Sequence, residues 1–281
     1  MHPGLQAGHT VAGYRLLRRI GQGGHGTVYL AEDALGQALA LKLVALPGGS
    51  ATVASRKAFL RNAQTAQGLV HPGIVALRAF GVEASVGWLA MELVPGTDLE
   101  PHTRPGCLLP EPLALRVAQR VAQALAYAHG QGVVHRDLKP ANVLIDLPSD
   151  TVKLADFGLA RTADALQTGT GIVPGSPAYM APEQLAGAVP TPQSDFYALG
   201  VMLFQLLAGR LPYEAASMGE LLRQVASDPA PDVRLLQPRV APTVALLVSR
   251  LLAKRASERP ADGQALATAL HQAAAGLPTA T

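Results

Sequence analysis

Cysteine is scarce in this sequence, and the 281 residues contain only Cys107. A single thiol excludes an internal disulfide and any cysteine metal cluster, and it fits a reducing, cytoplasmic environment. Charged residues are also few, at 15%, and the net charge of +3 comes from basic residues that are scattered rather than gathered into runs. This charge pattern argues against a nucleic-acid or membrane surface. We therefore expect a cytoplasmic protein that binds no nucleic acid.

Long apolar runs are absent as well. The longest, FYALGVMLFQLLAG, is too short to cross a bilayer and predicts a buried helix instead. The stretch MHPGLQAGHT does not place a charged segment before an apolar core, so we expect no signal peptide. Hydrophobic residues still make up 49%, enough to bury a sizeable core. At this length we expect two modest lobes and no membrane segment.

The pattern of hydrophobic residues changes along the chain. The first ~90 residues alternate strand-like runs with turns and include one amphipathic helix, ASRKAFLRNAQTAQGLV. From EPLALRVAQRVAQALAYAHG onward the pattern is mostly helical, interrupted by three short strand-like runs. These runs are VVHR, VLIDL and VKLADF. The sequence thus predicts an α+β chain with a small β-rich lobe carrying one main helix, followed by a larger, mostly helical lobe.

A glycine-rich stretch, GQGGHGTVYL, lies in the β-rich part and contains Gly21, Gly23 and Gly26 in the pattern G-x-G-x-x-G. In a dinucleotide-binding unit this pattern opens a helix, with an acidic residue about 20 positions later. Here a strand-like run follows, and the residue 21 positions beyond Gly21 is Lys42. A hairpin whose backbone N–H groups approach a phosphate fits better. A flexible hairpin tip without a ligand is the alternative.

Two polar motifs, HRDLKPAN and DFG, follow in the helical part. Phosphoryl transfer needs an oriented acceptor oxygen and neutralised triphosphate charge. Asp137 is suited to accept the proton of an acceptor hydroxyl, and Lys139 is suited to steady the transferring phosphate. Asn142 and Asp156 offer the hard oxygen ligands that Mg²⁺ prefers. Surface acids that cap loops would explain neither the glycine-rich hairpin nor Lys42.

In combination, these motifs resemble the eukaryotic-type (Hanks-type) serine/threonine protein kinases found in bacteria. The resemblance implies the bilobal protein kinase fold. It also implies the following boundaries: an N-terminal extension 1–13, a kinase domain 14–272 with an N-lobe of about 14–91, a hinge 92–96 and a C-lobe 97–272, and a tail 273–281.

The resemblance also implies an ATP site, built from the glycine-rich loop, a strand lysine, an apolar lid and floor over adenine, and the hinge. In the family, the strand lysine contacts the α- and β-phosphates, a gatekeeper precedes the hinge, and the hinge backbone pairs with adenine. The residues at these positions are the loop residues Ile20, Gly21, Gln22, Gly23, Gly24, His25 and Gly26, the lid residues Val28 and Ala40, the strand lysine Lys42, the gatekeeper Met91, the hinge residues Glu92 and Val94, and the floor residue Leu144.

The catalytic residues implied by the resemblance are Asp137, Lys139 and Lys42, with Asn142 and Asp156 as ligands of Mg²⁺ (Mn²⁺ being an alternative). Three further matches are structural: the APE glutamate Glu183, its arginine partner Arg259, and Asp195, which braces the catalytic loop. Lys139 and the stretch GSPAY are typical of serine/threonine kinases. We expect protein substrates and autophosphorylation at Thr168 or Thr170 between DFG and APE, and leave a homodimer open. The alternative is that these threonines are ordinary polar loop residues.

One position departs from the family. Such kinases place a glutamate on the N-lobe helix to pair with the strand lysine, and the matching residue here is Asn62. Its same-face neighbours are not acidic either; they are Ala58, Phe59, Thr65 and Ala66. Asn62 therefore keeps a second interpretation open, an ATP-binding pseudokinase or weakly active signalling scaffold. A small-molecule phosphotransferase is disfavoured, because such enzymes generally lack the APE element.

Overall fold

The computed structural model describes residues 7–24, 26–46, 52–157 and 177–277. The chain divides into two compact units, Met1–Pro95 and Gly96–Thr281.

An antiparallel sheet forms most of the first unit. Its strands are β1 (Thr10–Val11), β2 (Tyr14–Gly23), β3 (Gly26–Glu32), β4 (Ala38–Ala45), β5 (Leu77–Glu83) and β6 (Val86–Met91). They lie in the order β1-β2-β3-β4-β6-β5. The β-rich character predicted for this part of the chain is confirmed.

The hydrophobic core of the first unit lies on one face of this sheet. On β4, Leu39, Leu41 and Leu43 point into this core, together with Leu16 and Ala90 from neighbouring strands. Because successive side chains of a strand alternate between faces, the residues between these leucines point to the other face.

Helix α1 (Val53–Gln67) packs against β5 and β6 on the face opposite to this core. Thr52 caps its N-terminus by accepting a hydrogen bond from the backbone N–H of Ser55 at 3.1 Å. The ring of Phe59 lies against Gly87 of β6, where a Cβ atom would come within 2.6 Å of the ring. Only glycine allows this close approach of the helix to the sheet.

Helices dominate the second unit. They are α2 (Glu111–Gly130), α3 (Pro182–Leu185), α4 (Pro192–Ala208), α5 (Met218–Ser227), α6 (Pro242–Leu251) and α7 (Gly263–Ala275). Helix α4 is the central one, since 13 of its 17 residues are buried, and it packs against α2 and α6. This confirms the buried helix predicted from its apolar run. Within the described ranges, no helix is both long and apolar enough to cross a membrane.

A small three-stranded sheet accompanies these helices. It consists of β7 (Thr97–Asp98), β8 (Val143–Asp146) and β9 (Thr151–Leu154). Two of the three short strand predictions are confirmed by β8 and β9, but the strand predicted for VVHR is wrong. The backbone N–H groups of His135 and Arg136 donate to Asp195 instead of a neighbouring strand. Arg136 also has a φ of 72°, which a regular strand does not allow.

Candidate active site

The glycine-rich stretch forms the hairpin between β2 and β3. Its paired residues are Gly21 with Val28, Gln22 with Thr27, and Gly23 with Gly26. Gly26 has a φ of +126°, and a Cβ atom there would lie 2.2 Å from the carbonyl oxygen of Leu43. A Cβ atom at Gly23 or Gly24 would have no described atom within 4 Å. The backbone at Gly23 and Gly24 is therefore open to close approach by another molecule.

One face of the sheet collects several of the predicted ATP-binding residues. In the register of β3 and β4, Val28 lies opposite Lys42, and in that of β4 and β6, Ala40 lies opposite Met91. Directly opposed residues share a face, as do residues two apart on one strand. All four therefore point to the face on which α1 packs. Lys42 is buried there, with 4% of its surface exposed.

The predicted hinge begins directly after β6. Glu92 forms two hydrogen bonds with Ala76. Its backbone N–H donates to the carbonyl of Ala76 at 2.9 Å, and its carboxylate accepts from the N–H of Ala76 at 2.8 Å. Val94 follows at a half-buried position. The Ala76 contacts fix the start of the predicted hinge.

Contacts along the whole length of α1 hold it to the sheet. Besides Phe59, Arg56 donates to the backbone carbonyl of Ala84, and Gln67 Nε2 donates to that of Arg78 at 2.9 Å. Asn62 lies between these anchors and is half-buried. The helix contains no acidic residue. The anchors described for this helix are therefore aromatic packing and neutral acceptors, and α1 itself contributes no carboxylate.

Asp137 lies at the centre of a hydrogen-bond network in the loop before β8. Lys139 Nζ donates to Asp137 Oδ2 at 2.8 Å. Asn142 Nδ2 donates to the same oxygen at 3.1 Å and to the backbone carbonyl of Asp137 at 2.7 Å. The side chains of Asp137 and Lys139 are each only 14% exposed, so solvent screens their attraction less than at an open surface. These contacts fix the direction of the carboxylate.

Asp195, near the start of α4, holds the backbone that leads into Asp137. Its carboxylate is buried and accepts from the backbone N–H groups of His135 at 2.8 Å and Arg136 at 2.9 Å. It also accepts from His129 Nε2 at 2.8 Å. The left-handed conformation of Arg136 is unfavourable for a residue with a side chain, so it needs such external support.

His135 and Asn142 connect this loop to the end of β9. His135 Nδ1 accepts from the backbone N–H of Asp137 at 3.3 Å, and Nε2 lies 2.9 Å from the carbonyl of Ala155. Because a carbonyl only accepts, these partners require the neutral ring with its proton on Nε2. The backbone N–H of Ala155 donates to the carbonyl of Asn142 at 2.9 Å. Asp156 follows Ala155 with a φ of 65°. The hydrogen bond between Ala155 and Asn142 therefore joins the two backbone segments that carry the predicted metal ligands Asn142 and Asp156.

A buried ion pair joins α3 to the loop after α6. Arg259 donates from Nη1 and Nη2 to the two carboxylate oxygens of Glu183, at 2.7 and 2.9 Å. Ser194 adds a hydrogen bond to Glu183 at 2.7 Å. The Arg259 side chain is fully buried, and its guanidinium lies over the ring of Tyr197, 5.0 Å from the centroid. This bidentate geometry is the strongest arrangement available to such a pair.

The environment of Glu183 shifts its acidity. Burial raises the pKa of Glu183, but the hydrogen bonds from Arg259 and Ser194 outweigh burial and hold the pKa below its ordinary value of 4.5. The carboxylate is therefore charged at neutral pH.

Three predicted residues, His25, Thr168 and Thr170, lie outside the described residues. Leu144, the predicted floor of the adenine site, lies on β8 at a half-buried position. Two further residues of the site, His129 and Ser194, were not predicted from the sequence. Each donates a hydrogen bond to a carboxylate, His129 to Asp195 and Ser194 to Glu183. Their only sequence signal is a polar side chain at a helical position that the hydrophobic pattern marks as buried.

A family model described as the protein kinase domain matches residues 14–271 of the chain. RqkA of Deinococcus radiodurans, named a DNA damage-responsive serine/threonine-protein kinase, is 40% identical over 275 residues, which cover 94% of this chain and 40% of that protein. The serine/threonine-protein kinase PknJ of Mycobacterium tuberculosis is 40% identical over 281 residues, covering 97% and 47%. The serine/threonine-protein kinase PrkC of Bacillus subtilis is 37% identical over 244 residues, which cover 86% of this chain and 37% of that protein. The chain spans less than half the length of these relatives.

Among solved structures, the kinase domain of Mycobacterium tuberculosis PknI is similar to this chain with a TM-score of 0.77 and 31% sequence identity. The match covers 96% of this chain and 99% of that one.

Proposed function

Because the chain belongs to the protein kinase family, we propose that it transfers the γ-phosphate of ATP to serine and threonine hydroxyls of proteins. The resemblance to bacterial serine/threonine kinases and the bilobal kinase fold class predicted from the sequence are both confirmed. The observation that carries the proposed activity is the oriented carboxylate of Asp137, held by Lys139 and Asn142 on a backbone that Asp195 fixes.

In the proposed reaction, Asp137 accepts the proton of the acceptor hydroxyl while the oxygen of that hydroxyl bonds to the γ-phosphorus. The bond between the γ-phosphorus and the β–γ bridging oxygen breaks, and ADP leaves with that electron pair. Lys139, which lies 2.8 Å from Asp137, is placed to offset negative charge on the transferring group. The role of the protein is chiefly positioning and electrostatic stabilisation.

The residues after Asp137 suit a divalent cation. The amide nitrogen of Asn142 is committed to Asp137, so its ligand atom would be Oδ1. Asp156 would add a carboxylate oxygen, and both are hard donors of the kind Mg²⁺ prefers. Bound Mg²⁺ supplies positive charge that neutralises phosphate oxygens. We propose Mg²⁺ as the ion used, with Mn²⁺ as a substitute.

The first unit supplies the proposed nucleotide contacts. Lys42 would bind the α- and β-phosphates, and the open backbone at Gly23 and Gly24 would approach phosphate oxygens. Val28 and Ala40, which share a sheet face with Lys42, would cover the adenine ring. The backbone carbonyl of Glu92 and the N–H of Val94 would pair with its edge.

Replacement of Asp137 by Asn tests this function. We expect phosphate transfer from radiolabelled ATP to a generic protein acceptor to fall by about 10²–10⁴-fold, because general-base positioning contributes this much. ATP affinity should stay within a few fold, since Asp137 contacts the acceptor and not the nucleotide. Asp232→Asn, which alters a half-buried aspartate paired with Arg234, serves as the matched control. Full activity in Asp137→Asn would refute the assignment.

We propose that the chain also phosphorylates itself at Thr168 or Thr170. Both lie between DFG and APE, and Arg136, an exposed residue of the catalytic loop, offers a charge-assisted partner for a phosphate. Peptide mass spectrometry after incubation with ATP and Mg²⁺ should detect phosphate on one of them, and Asp137→Asn should show none. Phosphate only outside residues 159–183, or none on an active enzyme, would contradict this proposal.

We further propose a cytoplasmic location for the domain. ATP, the proposed donor, is abundant there, and the single cysteine suits a reducing compartment.

A further inference from the structure

Helix α5 is attached to the second unit by few apolar contacts. Of its ten residues only Val225 is buried, whereas α6, of the same length, buries five. Burial of apolar side chains is the main source of helix stability in proteins. The attachment of α5 must therefore rest more heavily on polar contacts than that of α6.

Most polar contacts of α5 are local. Ser217 caps the N-terminus by accepting from the N–H of Glu220 at 3.2 Å. Arg223 pairs with Asp228 just beyond the C-terminus, but the two side chains are 59% and 38% exposed. An exposed pair of this kind contributes little, and neither contact ties the helix to the rest of the unit.

The exception is the side chain of Lys254, in the loop after α6. Its ammonium donates to the backbone carbonyls of Val225 at 2.6 Å and Gln224 at 3.1 Å. These belong to the last turn of α5, where carbonyls generally lack partners within the helix. The carbonyl of Gln224 also accepts from the backbone N–H of Asp228 at 3.0 Å. A cation at this end also interacts favourably with the helix dipole.

The third donor of the ammonium also reaches this region. Lys254 Nζ donates to Tyr213 Oη at 2.8 Å and lies 4.4 Å from the centroid of its ring. Tyr213 in turn donates to the backbone carbonyl of Asp228 at 2.9 Å. Lys254 therefore binds the last turn of α5 directly and the residue after it through Tyr213.

Holding Lys254 against the last turn of α5 also has a cost in free energy. Burial, with a smaller contribution from nearby Arg259, lowers the pKa of Lys254 to about 8 against the attraction of Asp228. Among the described residues, Gln224 Oε1 is buried without a hydrogen-bond partner, and such burial is unfavourable. Both costs are relieved when the last turn of α5 opens.

We propose that the ammonium of Lys254 is a charge-dependent latch that holds the last turn of α5, and that removing this charge releases the turn while α4 stays folded. The backbone carbonyl of Lys254 accepts from Arg259 Nη2 at 3.1 Å, so a single residue touches both α5 and the Glu183–Arg259 pair. The latch would let α5 open without breaking that pair, since the side chain of Lys254 takes no part in it.

Hydrogen exchange measured by mass spectrometry on the whole chain, without nucleotide, tests the latch independently of the proposed activity. Lys254→Met keeps the length of the side chain and removes the charge. Because hydrogen bonds from a charged donor are the stronger ones, exchange of residues 218–228 should accelerate by about tenfold, with 192–208 unchanged. Lys254→Arg should stay close to the parent chain. Arg223→Gln, on the same helix, should change exchange by less than about twofold.

Two results would overturn the latch. One is unchanged exchange of 218–228 in Lys254→Met. The other is an equal rise in 192–208, or failure of that variant to fold, either of which would make Lys254 a support of the whole unit. Tyr213→Phe gives a milder second test, because it removes one acceptor of the ammonium and should accelerate exchange of 218–228 by a smaller factor.

Discussion

The two units hold a helix in different ways. In the second unit, Arg259 is fully buried and meets a complete acidic partner, Glu183, through two hydrogen bonds. In the first unit, α1 contains no acidic residue, and the resemblance assigns Asn62 to the position where the family has glutamate. The difference suggests that α3 is fixed by charge, whereas α1 is fixed by packing.

The largest effect should come from breaking the complete pair. Arg259→Met leaves the Glu183 carboxylate without its main partner, and we expect the free energy of unfolding to fall by about 3–5 kcal/mol. Urea denaturation measures this change. Arg255→Gln, at an exposed position of the same loop, should stay within about 0.5 kcal/mol.

Removing both partners sharpens this result. Glu183→Gln combined with Arg259→Met should cost less than the sum of the two single changes, because neither charge is then left buried alone. A loss below about 1 kcal/mol for Arg259→Met would place this pair with ordinary surface ion pairs.

The acidity of Glu183 gives a prediction of intermediate size. Because its pKa is lowered in the folded chain, its charge contributes stability above the ordinary value of 4.5, and this contribution is lost as the pH falls through the lower folded value. The stability difference between the parent chain and Glu183→Gln should therefore be constant near neutral pH and shrink below about pH 4.5. Urea titrations of both chains at several pH values measure it. A difference that stays constant down to pH 3 would contradict the assigned shift.

The helices and the catalytic loop differ in how far the sequence could predict their structure. The hydrophobic pattern was sufficient for α4, whose long apolar run predicts a buried helix and whose end at the left-handed Gly209 follows from local chemistry. It failed at VVHR, because the amides there donate to Asp195 some 60 residues away. The roles of His129 and Lys254 were likewise beyond prediction, since each acts through contacts with distant segments. Family motifs predict the candidate site residues, but no local pattern specifies the partners that orient them.

The smallest effect concerns Asn62 of α1. The lysine–glutamate pair of the family predicts that Asn62→Glu adds an ion pair with Lys42. The arrangement competent for catalysis should then be more fully populated. The structure limits the gain, because Phe59, Arg56 and Gln67 already seat α1.

We expect basal kinase activity to rise by at most about fivefold in Asn62→Glu, the equivalent of a weak ion pair, and to fall modestly in Asn62→Ala. Lys42→Met should lose far more activity than Asn62→Ala. Gln64→Glu, which adds the same acid at an exposed position of α1, controls for helix charge and should leave activity unchanged. Steady-state rates at saturating ATP, with thermal melts to verify equal folding, measure these differences. A neutral or inactive Asn62→Glu would show that α1 is seated by packing alone, and that the lysine–glutamate pairing of the family does not carry over to this chain.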